Sequence, residues 1–119
     1  MKIYEEAKAP NARRVRMFLA EKALLGDIEF VQLDLQKGDN ITSEFRQKNP
    51  LAKIPVLELD DGTFICESIA ICRYIDLIFP ADNSLFGDSP IEQAKVEMWG
   101  RVIELQGIIP AMQAFRNIS

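Results

Sequence analysis

Apolar and polar positions divide this chain into a run of short elements followed by one long one. Residues 2–5 (KIYE) predict a short strand. Pro10 opens a helix predicted over 10–25, with Val15, Phe18, Leu19 and Ala23 as an apolar stripe and Gly26 as its stop. Residues 28–35 are rich in β-branched and apolar side chains and predict a second strand. Residues 37–40 are a loop, and Thr42 can cap a short helix reaching Lys48. Two further strands, 56–59 and 63–66, flank Asp60-Asp61-Gly62, which is a hairpin signal. Residues 68–79 form a helix that is apolar nearly all round and so is expected to be well buried, with Pro80 ending it.

The polar stretch 81–89 reads as a linker. Ser89, Pro90 and Glu92 then make a helix start with a capping box. Ile91, Ala94, Met98, Val102, Leu105, Ile109 and Met112 extend an apolar face along it, and Pro110 is expected to kink it. The order β-α-β-α-β-β-α up to residue 80 has a parallel first half and an antiparallel hairpin. Crossover rules leave few arrangements for it. The best fit is a four-stranded mixed sheet with helices on both faces, a thioredoxin-like α/β domain over 1–80. The long helix over 90–119 has no obvious partner element within the chain.

Composition narrows the function classes. The chain is 48% hydrophobic and 27% charged, as in a globular domain. A net charge of −4 argues against nucleic acid, which needs concentrated Lys and Arg. Arg13, Arg14 and Arg16 read as the solvated face of a helix. No apolar run is long enough to span a membrane, and residues 1–6 lack the apolar core of a signal peptide. A cytoplasmic protein is the resulting expectation. There is no histidine, so the commonest general base and metal ligand is missing. Cys66 and Cys72 match no zinc spacing and read as small buried apolar residues, and no metal site is expected.

One stretch carries candidate chemistry. Residues 49–70 (NPLAKIPVLELDDGTFICESIA) place Ile54-Pro55 before a strand and Glu67-Ser68 at a helix start. Backbone beside a proline and polar groups at a helix start together suit a peptide-like ligand.

With that stretch, APNARRVRMFLAEKAL (9–24), NPLAKIPVLELDDG (49–62) and ESIAICRYI (67–75) resemble the glutathione S-transferase family. The resemblance covers about residues 1–117. Residues 96–115 look like the first helix of that family's all-helical second domain, so the chain is expected to be truncated after it. The resemblance implies a glutathione site, glutathione as co-substrate, a small electrophile or a disulfide as second substrate, and a homodimer. Relatives carry Cys-Pro-x-Cys where the first helix begins. Here the matching residues are Ala9-Pro10-Asn11-Ala12, so a dithiol mechanism there is excluded.

Such a transferase needs no protein nucleophile, because glutathione supplies the thiol. With a pKa of about 8.5, only a few per cent of a free thiol is ionised at neutral pH. A helix N-terminus contributes about 1 kcal/mol, and one pKa unit is about 1.4 kcal/mol, enough to raise the thiolate to about a quarter. The resemblance makes Asn11 the candidate catalytic donor. Asn11 as an ordinary N-cap is an equal and compatible reading. Tyr4 is the runner-up donor, or simply a half-buried strand tyrosine.

The rest of the ligand set is implied residue by residue. Pro55 matches the family's cis-proline. Ile54 would pair its backbone with the cysteinyl backbone. Lys53 would approach the glycine carboxylate, unless it is an exposed surface lysine. Asn40 falls where some relatives hold the same carboxylate, although loop asparagines also serve turns. Ser68 would hold the γ-glutamyl carboxylate and Glu67 the α-amino group; a helix cap with a first-turn acid is the competing account. The expected function is glutathione transferase chemistry. The alternatives are a non-catalytic assembly module of this fold and an inactive truncated fragment.

Overall fold

The computed structural model describes residues 1–80 and 84–118. Four strands, β1 (Lys2–Glu5), β2 (Glu29–Gln32), β3 (Val56–Glu58) and β4 (Phe64–Cys66), form one sheet in the order β2-β1-β3-β4. β1 and β2 run parallel, while β1–β3 and β3–β4 are antiparallel. The helices of this unit are α1 (Pro10–Glu21), α2 (Ser43–Lys48) and α3 (Ser68–Ile78). This is the expected thioredoxin-like domain.

Alternation along β1 sets the layers. Ile3 and Glu5 point to the face covered by α1, where Arg16 meets Glu5. Tyr4 points the other way and meets the edge of Phe45 from α2, with ring centroids 6.3 Å apart. The core between the sheet and α1 and α3 is Ile3, Ala12, Val15, Leu19, Val56, Leu57, Ile71 and Ile75. A buried ion pair also joins the two helices, Lys22 Nζ to Asp76 Oδ1 at 2.5 Å.

Three expectations are corrected. α1 ends at Glu21, not at residue 25. The Leu24 N–H bonds the Leu19 carbonyl at 2.8 Å and the Ala23 N–H bonds Ala20 at 3.0 Å, a Schellman stop. Ala23 takes the left-handed position, with φ 56°, so it leaves the stripe and is exposed. α3 is not buried all round. Ile71, Cys72 and Ile75 face the core, whereas Leu77 is 72% exposed and Ile69 44%. The arginine cluster is not a uniformly solvated face: Arg13 is exposed, but Arg14 and Arg16 are both engaged.

The chain divides into two compact units, Met1–Phe79 and Pro80–Ser119. Residues 81–83 of the linker expected over 81–89 lie outside the described residues, as does Ser119. In the second unit, α4 (Pro90–Ile103) begins with the predicted capping box. Ser89 Oγ accepts from the Glu92 N–H at 3.3 Å, and Glu92 Oε2 accepts from the Ser89 N–H at 3.1 Å. The Asp88 N–H, which also donates to Glu92 Oε2 at 2.9 Å, and the Ser89 N–H hold the Glu92 carboxyl below its ordinary pKa. The irregularity expected from Pro110 takes the form of a π turn over Glu104–Ile108, after which α5 (Ile109–Arg116) resumes. No residue of α4 or α5 is buried, and Trp99 is 58% exposed. Among the described residues no helix is long and apolar enough to cross a membrane.

Candidate functional site

The strand register brings the candidate residues to one end of the sheet. Tyr4 pairs with Val56 and Val56 with Cys66. The chain leaving β1 toward α1, the residues just before β3 and the residues just after β4 therefore all lie at that end. Those are Ala9 to Ala12, Ile54-Pro55 and Glu67-Ser68.

At the α1 start, the N-cap is Ala9, which has no side chain to cap with, and Pro10 follows it. Asn11 is therefore in the first turn and is not the N-cap, which removes that reading. Its side chain has no hydrogen-bond partner among the described residues. Arg13 N–H already bonds Ala9, at 3.0 Å. The Asn11 and Ala12 N–H groups precede the first intrahelical donor and stand free, as first-turn amides do.

The loop before β3 is built by Asn49, which sequence reasoning passed over. Asn49 is buried. Its Nδ2 donates to the Lys53 carbonyl at 2.9 Å and its Oδ1 accepts from the Leu51 N–H at 3.1 Å. Asn40 Nδ2 donates to the Ala52 carbonyl at 2.8 Å, where Ala52 has φ 56°. Asn40 thus braces the loop from behind. The Ile54–Pro55 bond is cis. Ile54 lies outside the β1–β3 ladder, and its N–H and C=O have no partner among the described residues. The Lys53 side chain is exposed.

Glu67 is the N-cap of α3, with φ 71° and no side-chain cap bond. Positive φ is uncommon for a residue with a Cβ, and outliers of this kind concentrate at functional sites. Ser68 is buried in the first turn, so it is not the cap either. Arg14 Nη1 donates to Ser68 Oγ at 2.7 Å. Arg14 is the residue that sequence reading missed. It reads with Arg13 and Arg16 as one solvated basic cluster, and only the approach of α3 shows its partner. Lys8, Pro10, Arg13, Arg14 and Met17 line a groove of about 460 Å³ along α1. The groove is largely apolar, has a cationic rim and adjoins the site through Pro10 and Arg14.

Tyr4 is occupied elsewhere. Its hydroxyl donates to Glu58 Oε2 at 2.5 Å, and that bond, with burial and the surrounding carboxylates, pushes its pKa up to about 12. Burial likewise pushes the Cys72 thiol up to about 12 and raises Cys66, whose thiol donates to the Lys48 carbonyl at 3.7 Å. Neither cysteine has the electropositive, accessible setting of a reactive thiol.

The family model described as "Glutathione S-transferase, N-terminal domain" matches residues 9–78. The chain belongs to the glutathione S-transferase family. It is 39% identical over 117 residues to Glutathione S-transferase 2 of Saccharomyces cerevisiae, covering 98% of this chain and 50% of that protein. The crystal structure of a class Gtt2 glutathione S-transferase from Vibrio parahaemolyticus superposes with a TM-score of 0.87 at 52% identity, over 99% of this chain and 58% of that one. Elongation factor 1-gamma 2 of Oryza sativa is 39% identical over 83% of this chain and 23% of its own length. The chain spans about half the length of the transferases it matches.

Proposed function

We propose that this chain binds glutathione and presents its thiolate to a small electrophile or a disulfide. The observation that carries the reading is the convergence of three sets of free polar groups at one end of the sheet. They are the first-turn amides of α1, the unpaired Ile54 backbone, and the Glu67-Ser68 start of α3 with Arg14 beside it.

The Ile54 N–H and C=O, next to Pro55, take the cysteinyl backbone as an added strand would. Ser68 and the α3 amides hold the γ-glutamyl carboxylate, with Arg14 supplying the positive charge and fixing the hydroxyl. Glu67 takes the α-amino group. The glycine end leaves toward Lys53, while Asn40 acts through the Ala52 loop. The cysteinyl sulfur then lies at the start of α1. There the dipole and the Asn11 and Ala12 N–H groups favour the thiolate, and the Asn11 amide adds a donor that does not titrate. The thiolate attacks the electrophilic atom or one sulfur of the disulfide, and the displaced group leaves with the electron pair. A cytoplasmic homodimer belongs to the same proposal.

Amide chemical shifts test it. Adding glutathione to the 119-residue chain is expected to move the resonances of residues 9, 11–13, 53–54 and 67–69 and to leave those of the 60–63 turn in place. Shifts scattered over the surface, or none, contradict it. A second reading, a non-catalytic module, is favoured by the alanines at both thiol positions and by the likeness to elongation factor 1-gamma. It predicts no turnover of a disulfide or of a model electrophile.

A further inference from the structure

Glu5 ends β1 and is fully buried. A carboxylate in an apolar layer is costly unless well paired. Its Oε1 accepts from Arg16 Nε at 2.8 Å, from Arg16 Nη2, and from Gln32 Nε2 at 2.7 Å. Its Oε2 has no partner among the described residues. A pair arranged for burial alone would share the donors over both oxygens, as in a fork-to-fork ion pair. Here they converge on one oxygen, and the other ends of the donors are fixed as well. The Arg16 guanidinium lies over the Phe30 ring, 4.0 Å from its centroid. Gln32 uses its second polar atom on the loop, where Oε1 accepts from the Ala7 N–H at 3.1 Å.

Gln32 therefore spans the gap between the end of β1 and the loop that leads to α1. That loop is tight. The Ala9 N–H bonds the Glu6 carbonyl at 2.9 Å, and the Lys8 N–H bonds Glu6 Oε1 at 3.1 Å. Ala7 lies inside this turn, between Glu6 and the Ala9 cap of α1 that bonds it, so what fixes Ala7 also fixes the turn. We infer that Glu5, Arg16 and Gln32 are positioning residues that act through Ala7 to hold the first turn of α1 where the ligand thiol is received. The identity of that ligand rests on the glutathione reading, but the clamp itself does not.

Hydrogen exchange of the 119-residue chain, without ligand, tests the clamp in Glu5→Leu and Gln32→Leu. The hydrogen-bonded amides of the segment 6–13, Ala9 and Arg13, are expected to exchange at least tenfold faster in both, with α3 and the β3–β4 hairpin unchanged. Glu5→Leu is expected to lower the thermal midpoint as well, because it leaves the half-buried Arg16 guanidinium without its carboxylate, so Gln32→Leu is the cleaner comparison. Glu5→Gln, which keeps an oxygen for both donors, should restore most of the protection. Where glutathione binds, the thiol pKa of the bound ligand, read from ultraviolet thiolate absorbance, should rise toward the free value of about 8.5 in Gln32→Leu. Unchanged exchange over 6–13, loosening spread evenly through the sheet, or an unmoved thiol pKa overturns the inference. If the parent binds no glutathione, the exchange result alone decides the clamp and only the ligand reading falls. If Glu5→Leu does not fold, Gln32→Leu decides, since Gln32 is an exposed strand position.

Discussion

Tyr4 and Asn11 were the two side chains competing to be the thiol donor, and their surroundings separate them. Tyr4 donates its hydroxyl hydrogen bond to Glu58, on the far side of β1 from Glu5 and α1, and that bond with burial and nearby carboxylates pushes its pKa up to about 12. Tyr4→Phe should therefore leave glutathione binding and any turnover unchanged. It should lower stability by about 1.5 kcal/mol, the usual loss for a hydrogen bond to a charged group, measured by urea unfolding. Lys48, 3.9 Å from Glu58, keeps that carboxylate paired in the variant. Arg14 is the residue whose importance only the fold reveals. Arg14→Met removes the donor to Ser68 and the charge beside the carboxylate site. Glutathione affinity should fall about tenfold, or about 1.4 kcal/mol, in a calorimetric titration. An unchanged affinity would reduce Arg14 to a brace between α1 and α3. The sequence could not announce this role, because Arg14 reads with Arg13 and Arg16 as one basic cluster and its partner Ser68 lies far along the chain. Asn49 was hidden for another reason: its side-chain bonds are all to loop backbone four residues away or nearer.

Elements with local signals were read closely, and those ended by geometry were not. Thr42 before α2 and Ser89 with Glu92 before α4 cap as their residue types require. The Asp-Gly turn between β3 and β4 has Gly62 at φ 85°, where glycine carries no penalty. α1 ran short because its stop is Ala23, a residue type that gives no stop signal, in a left-handed conformation. Such a conformation costs roughly 1–2 kcal/mol for a residue with a Cβ. Ala23→Gly should relieve part of it and stabilise the fold by about 0.5–1 kcal/mol, raising the thermal midpoint by about 3 °C. A lower midpoint would mean that alanine fits this Schellman stop without strain. α3 was read as buried all round because apolar content alone does not say which sides are covered. The exposed residues Ile69, Leu77 and Ile78 on α3 are the measure of that error.

At the scale of the whole molecule, the sheet order turns distant residues into one site. β3 lies between β1 and β4 and runs antiparallel to both, so the ends of β1 and β4 and the start of β3 share one end of the sheet. The family resemblance supplied the same residues from motifs, and the register supplies the physical reason they meet. Among the described residues, the second unit adds a capped helix with a π turn and has no buried side chain. The first unit carries all three segments proposed to face the ligand, so on that proposal glutathione binding should need no residue beyond it. A calorimetric titration of glutathione into the 119-residue chain tests this most directly. The account predicts saturable binding of one glutathione per chain, weakened at least tenfold by Ser68→Ala. Absence of saturable heat from a chain that circular dichroism shows to be folded would contradict it.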